Sequence, residues 1–67
     1  MNEGFLRIKD GNVQLVTTNS NVIRTYWTKG NCIRVDWYKR EGQSVQIHLS
    51  TGKLVLVNKN GSIIRTI

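Results

Sequence analysis

Apolar and polar residues alternate along most of this chain, and the alternation keeps breaking at turn residues. Ile33, Val35 and Trp37 alternate with Arg34, Asp36 and Tyr38; Val45, Ile47 and Leu49 alternate with Gln46, His48 and Ser50. A period of two puts successive side chains on opposite faces of a strand, so each run reads as a half-buried strand. No stretch repeats apolar residues at helical spacing, and the chain has no proline. The breaks fall at Asp10-Gly11, Asn19-Ser20-Asn21, Lys29-Gly30-Asn31, Glu41-Gly42-Gln43, Thr51-Gly52 and Asn60-Gly61. Glycine takes positive φ without steric cost, which tight hairpins demand. The pattern predicts seven strands at about 4–9, 12–18, 21–28, 31–39, 44–50, 53–58 and 62–67. Every link is hairpin-sized, so the expected fold class is all-β, an antiparallel meander of about seven short strands.

The last hairpin departs from alternation. Leu54, Val55, Leu56 and Val57 are all apolar, and Ile63 and Ile64 point opposite ways. Both faces ask for cover, by a second sheet or a neighbouring subunit. An open sheet would also leave two edges, which proteins avoid. Closure into a small barrel, a two-layer roll, or pairing between subunits answers both needs. The final strand, ending at Ile67, is expected to be paired or buried.

One phrase occurs twice. Val13–Thr25, VQLVTTNSNVIRT, and Leu54–Thr66, LVLVNKNGSIIRT, agree at six of thirteen positions. The offset is 41 residues, and it also sets Gly11 on Gly52, Leu6 on Ile47 and Ile8 on Leu49. Three readings compete: convergence of similar hairpins, a pseudo-twofold duplication, or a propeller-like repeat, whose blades run ~40–45 residues. The duplication accounts best for Arg24 and Arg65 sharing a slot. A two-residue loop at Asn60-Gly61 sets Arg65 beside Leu56 on the apolar face; a three-residue loop at 59–61 sets it beside Val55. Either way, an arginine on a half-buried face must find an anion or a carbonyl.

Length, cysteine content and charge then narrow the function. Residues 1–67 form a single domain, in which a lone core is marginal, and self-association or a tidy core must compensate. Cys32 is the one cysteine and His48 the one histidine, so an intrachain disulfide and a Cys-based zinc site are excluded. Ten Lys/Arg against four Asp/Glu give +6. That charge favours nucleic acid, an acidic protein or anionic lipid, or serves solubility alone. No apolar run approaches the ~18 residues of a membrane span. The start, MNEGFLRIKDG, lacks a basic region followed by an apolar one, so no signal peptide and a cytoplasmic protein are expected.

Three constellations could carry chemistry. Tyr26, Trp27, Arg34, Trp37, Tyr38, Lys39 and Arg40 cluster on the third and fourth strands, and four of the five aromatics lie there. Single-strand grooves combine such cations with stacking platforms, each base contributing ~1–3 kcal/mol. Against this, Trp37 shares a face with Ile33 and Val35 and reads better as core. Second, Lys9, Lys29, Lys39, Arg40, Lys53 and Lys59 lie at hairpin ends, either solvated as edge protection or available to phosphates. Third, His48 lies with Gln46, Asp36 and Tyr38 on a polar face, but no nucleophile accompanies it, so catalysis is not expected.

The element order is similar to the trp RNA-binding attenuation protein family. The resemblance rests on FLRIK (5–9), KG (29–30), the I-x-L-x-x-GK hairpin (47–53) and NGSII (60–64). It implies a ring of small all-β subunits around single-stranded RNA. In that family a Lys and an Arg flank the hairpin glycine; the matching places here hold His48 and Ser50. A shorter stretch, SVQIH (44–48), resembles SVQIY of type II dihydrofolate reductase, a β-barrel whose active site forms at a tetramer centre. Gln46 and Ile47 match, and His48 replaces the tyrosine.

The reading that emerges is a small basic non-enzymatic nucleic-acid-binding protein, preferring single strands with little sequence reading and acting as a homo-oligomer. Its binding residues would be Arg24, Tyr26, Arg34, Tyr38, Lys39, Arg40 and Arg65, with no metal or cofactor and no membrane association. The rival reading is an accessory module of phage or mobile-element type that docks on an acidic protein.

Overall fold

The computed structural model describes residues 4–67, and every regular element in it is a strand. The seven strands are Phe5–Lys9 (β1), Asn12–Val16 (β2), Val22–Trp27 (β3), Cys32–Lys39 (β4), Ser44–Leu49 (β5), Leu54–Val57 (β6) and Ile63–Thr66 (β7). They make two antiparallel sheets, β1-β2-β3 and β4-β5-β6-β7. The barrel is not closed; a small roll of two sheets describes the fold. The meander breaks once. β3 and β4 are joined by a short turn yet belong to different sheets, so the aromatic-basic stretch is not one hairpin.

What turns the chain from one sheet to the other is a knot of backbone at Gly11 and Gly30. Asp10 (φ 55) and Gly11 (φ 78) form the two-residue loop between β1 and β2, both in the positive-φ region such a loop needs. The Gly11 carbonyl accepts from the Cys32 N–H at 3.0 Å. The Gly30 N–H donates to Asn12 Oδ1 at 2.8 Å, and the Trp27 indole donates to the Gly30 carbonyl at 2.8 Å. These bonds replace the ladder that β3 and β4 do not make.

The repeated phrase builds the same hairpin twice. Leu15 pairs with Arg24 as Leu56 does with Arg65; Gln14 with Thr25 as Val55 with Thr66; Val16 with Val22 as Val57 with Ile63. Every position is shifted by 41 residues. The loops match too. Thr17 Oγ1 accepts from the N–H groups of Asn19 and Asn21, and Asn58 Oδ1 from those of Asn60 and Ser62. Ser20 (φ 68) and Gly61 (φ 84) take the same left-handed position.

The loop at 59–61 has three residues, closed by Asn58 and Ser62. Arg65 nevertheless lies beside Leu56. A bulge between Leu56 and Val57 makes Ile64 an extra residue, and it restores the register that the longer loop had shifted. The offset does not hold through the first strand of each half. Lys9 and Asn12 flank two loop residues, whereas the Leu49 N–H donates to the Lys53 carbonyl across three. By pairing, Leu6 therefore corresponds to Gln46 and Ile8 to His48, one residue short of the sequence match.

One core joins the sheets. It contains Val13, Leu15, Tyr26, Trp27, Cys32, Val45, Ile47, Val55 and Val57, with Leu6, Val35, Trp37 and Leu49 against it. Ile33 does not join Val35 and Trp37. A bulge between Cys32 and Arg34 turns Cys32 inward and leaves Ile33 66 % exposed. β7 is hydrogen-bonded to β6, and Ile67 exchanges two backbone bonds with Leu54. All four β7 residues are exposed, so the last strand is paired, as expected, without being buried.

Candidate nucleic-acid interface

The seven expected binding residues fall into three places. Arg24 and Tyr26 lie inside. Tyr26 alternates with Thr25 on β3 and points between the sheets, where it is 2 % exposed. Its hydroxyl donates to the Gln43 carbonyl at 2.9 Å and accepts from Arg24 Nη1 at 3.2 Å. Arg24 Nη1 also donates to Gln43 Oε1. The ring meets Trp37 edge-on, with centroids 6.5 Å apart. Tyr26 is thus core and a cross-sheet pin, not a stacking platform, because its hydroxyl found a carbonyl only in the other sheet's β4–β5 turn. Arg24, half-buried, has found the partners its slot required.

Arg34 lies on the outer face of the second sheet. Opposite positions across β4, β5 and β6 place Arg34 by His48 and Leu54, and Asp36 by Gln46 and Leu56. Arg34 Nε is 3.1 Å from Asp36 Oδ2, and His48 Nε2 is 3.5 Å from the same oxygen. Arg34 stays exposed, and such a pair contributes roughly 0–1 kcal/mol, so its cation remains available to a stronger anion. Arg65 shares this face but sits on β7, three strands from β4, or roughly 14 Å at ~4.8 Å per strand.

Tyr38, Lys39 and Arg40 end β4. A bulge between Trp37 and Lys39 gives Tyr38 no directly opposed residue, and it is 42 % exposed. Lys39 and Arg40 are exposed. The Arg40 guanidinium lies over the Trp37 ring, 5.3 Å from its centroid. That sets a cation against the face of the Trp37 ring at the sheet's edge strand, with ~0.5–1 kcal/mol between them. Gln43, which holds Arg24 and Tyr26 inward, carried no sign of this role in the sequence, since its partners lie 17 and 19 residues away.

A concavity of about 380 Å³ runs between Tyr26–Lys29 and Gly61–Ile63. Lys29 Nζ stands 5.5 Å from the Trp27 ring centre at its rim. Trp27 is buried, so it offers little stacking area. Among the described residues no group of three or more His, Cys, Asp or Glu is placed to hold a metal ion, and no helix is long and apolar enough to cross a membrane.

No family model, curated protein or solved structure matches the chain. The likenesses to the attenuation proteins and to type II dihydrofolate reductase therefore rest on their short motifs alone.

Proposed function

We propose that the protein is a non-enzymatic binder of single-stranded nucleic acid, and that the edge strand β4 and its end carry the contact. The observation behind this is the exposure of Arg34, Tyr38, Lys39 and Arg40 along one unpaired sheet edge, in a chain of net charge +6. The cations neutralise phosphates, and Tyr38 offers a face on which a base can stack. The reading assigns these cations to phosphates and the ring to stacking, which makes the binding weakly sequence-specific. Arg24 and Tyr26 are withdrawn from the set, and Arg65 stands apart from it. Several copies in one particle multiply a weak edge through avidity.

The test is titration of a labelled single-stranded oligonucleotide at several salt concentrations. Log K should fall linearly with log salt, at about −0.7 per phosphate engaged. The Arg34→Ala/Arg40→Ala double variant should shorten that slope by roughly 1.4. Equal binding by the double variant removes these residues from the interface. No binding at low salt turns the proposal over in favour of an acidic protein partner.

A further inference from the structure

The two copies of the hairpin pack on each other by opposite faces, and this leaves one outer face on each sheet, with apolar exposure at Phe5 and Val22 on the first and at Ile67 on the second. In the first sheet Val13 and Leu15 enter the shared core, while Val16 is buried outside it. In the second sheet Val55 and Val57 enter that core, while Leu56 is buried outside it. By the common register Leu15 corresponds to Leu56 and Val16 to Val57. Alternation along a strand makes these opposite faces. The face one repeat turns inward is the face the other turns outward. A twofold pair would bury the same face of both; this contact is head-to-tail, and such contacts continue until a ring closes or a filament grows.

We infer that a second copy of this chain covers the outer face of the second sheet with the outer face of its own first sheet. The occupant is fixed by the interface already present within the chain. The outer second-sheet face carries Leu54, Leu56 (itself already buried) and Ile67; by pairing these correspond to Val13, Leu15 and Trp27 of the face that is packed inside, since Ile67 bonds Leu54 where Trp27 opposes Val13. Ile67 is 64 % exposed, where its counterpart Trp27 is 8 % exposed. The outer first-sheet face carries Phe5 opposite Val16, and Val16 opposite Val22, where the buried counterpart has Val45 opposite Val57, and Val57 opposite Ile63. Phe5 is 59 % exposed, where Val45 is fully buried.

A second observation points the same way. Arg7 Nε is buried without a hydrogen-bond partner among the described residues, and His48 Nε2, also buried, has only Asp36 Oδ2 near it, at 3.5 Å. Arg7 is opposite Gln14 on the outer face of the first sheet, and His48 opposite Leu54 on that of the second. Buried polar atoms are normally satisfied, so the first-sheet face is short of a partner at Arg7, and the second-sheet face offers His48 only a long contact. Among the described residues the first sheet has no counterpart of β4, so the junction is made by β1–β3 of one copy on β5–β7 of the next. Arg65 enters that junction as Arg24 enters the one inside the chain.

The inference does not rest on nucleic-acid binding, and its test needs none. Sedimentation velocity of the parent at near-physiological salt should give a mass that is a multiple of 7.7 kDa. Phe5→Lys blocks one face and Ile67→Lys the other, and each variant alone should run as the monomer. Mixed, they still own one intact face of each kind, and should form a dimer that grows no further. A monomeric parent overturns the inference. So does a variant that still assembles like the parent, which would mean that one face pairs with itself, or a mixture that stays monomeric. Where a variant loses the parent's far-UV circular dichroism, Val22→Lys replaces Phe5→Lys and Ile67→Ser replaces Ile67→Lys.

Discussion

At Gly11 there is no room for a side chain. A Cβ there would come within 2.4 Å of the Asn31 backbone nitrogen, and φ is +78. Both neighbours are backbone tied into the knot between the sheets, so neither can yield. Gly52 has φ +92 but nothing within 4 Å. Gly11→Ala should therefore lose well over the ~1–3 kcal/mol of a strained backbone alone, and Gly52→Ala should stay within that range. Urea unfolding of the two variants separates them. Cys32 offers a second test. Its buried thiol is held above the usual 9.0, by desolvation first, against weaker opposing backbone bonds from Arg34 and His48. The native state favours the neutral thiol, and the unfolded chain ionises sooner. The linked stability is whole below 9.0 and drains as pH rises through the raised value. Unfolding free energy followed upward from pH 8 should fall more steeply for the parent than for Cys32→Ala. Parallel curves would deny the linkage.

Among the elements, the twin hairpins make matched experiments. Thr17 and Asn58 each cap their loop with two backbone N–H groups. Thr17→Ala and Asn58→Ala should each cost about 1 kcal/mol, as lost caps do, with similar effects because the geometry is shared. A marked difference in thermal midpoint would show that the repeats are alike in outline only. Tyr26→Phe removes the bond to Gln43 and leaves the Arg24 Nη1 contact unmade, for about 1–3 kcal/mol. Oligonucleotide affinity should be unchanged, since the ring is internal; weakened binding in folded protein would return Tyr26 to the interface. The strands themselves are legible in the sequence because alternation and glycine-bearing turns are local signals. The bulges at Ile23, Tyr26, Ile33, Tyr38 and Ile64 are not, because the same residue types also stand in regular strand positions and each bulge flips the side chains beyond it. Alternation alone therefore puts Ile33 in the core and passes over Cys32. At the candidate site the exposed end of β4 can be read from charge. The withdrawal of Arg24 and Tyr26 cannot, because Gln43 decides it from another sheet.

Neither sheet of the whole molecule has a core of its own. Val13 and Leu15 from the first and Val45, Ile47, Val55 and Val57 from the second fill one cluster, and Gly11 and Cys32 tie the layers by backbone. In a chain of 67 residues that cluster is nearly all the apolar burial there is. The two sheets should therefore unfold together. Val13→Ala and Val57→Ala, one in each sheet and both fully buried, should each lose about 2–3 kcal/mol, a transfer term plus a cavity term. More telling is where the loss is felt. Native-state hydrogen exchange of Val13→Ala should weaken protection in β5 and β6 as much as in β2, because the slowest amides open only with global unfolding. The β7 amides that point away from β6 should exchange fast, since that strand is bonded on one side and bare on the other. Protection that falls in β1–β3 alone would split the molecule into two cooperative units, and the shared core would then be a contact between sheets that each fold independently.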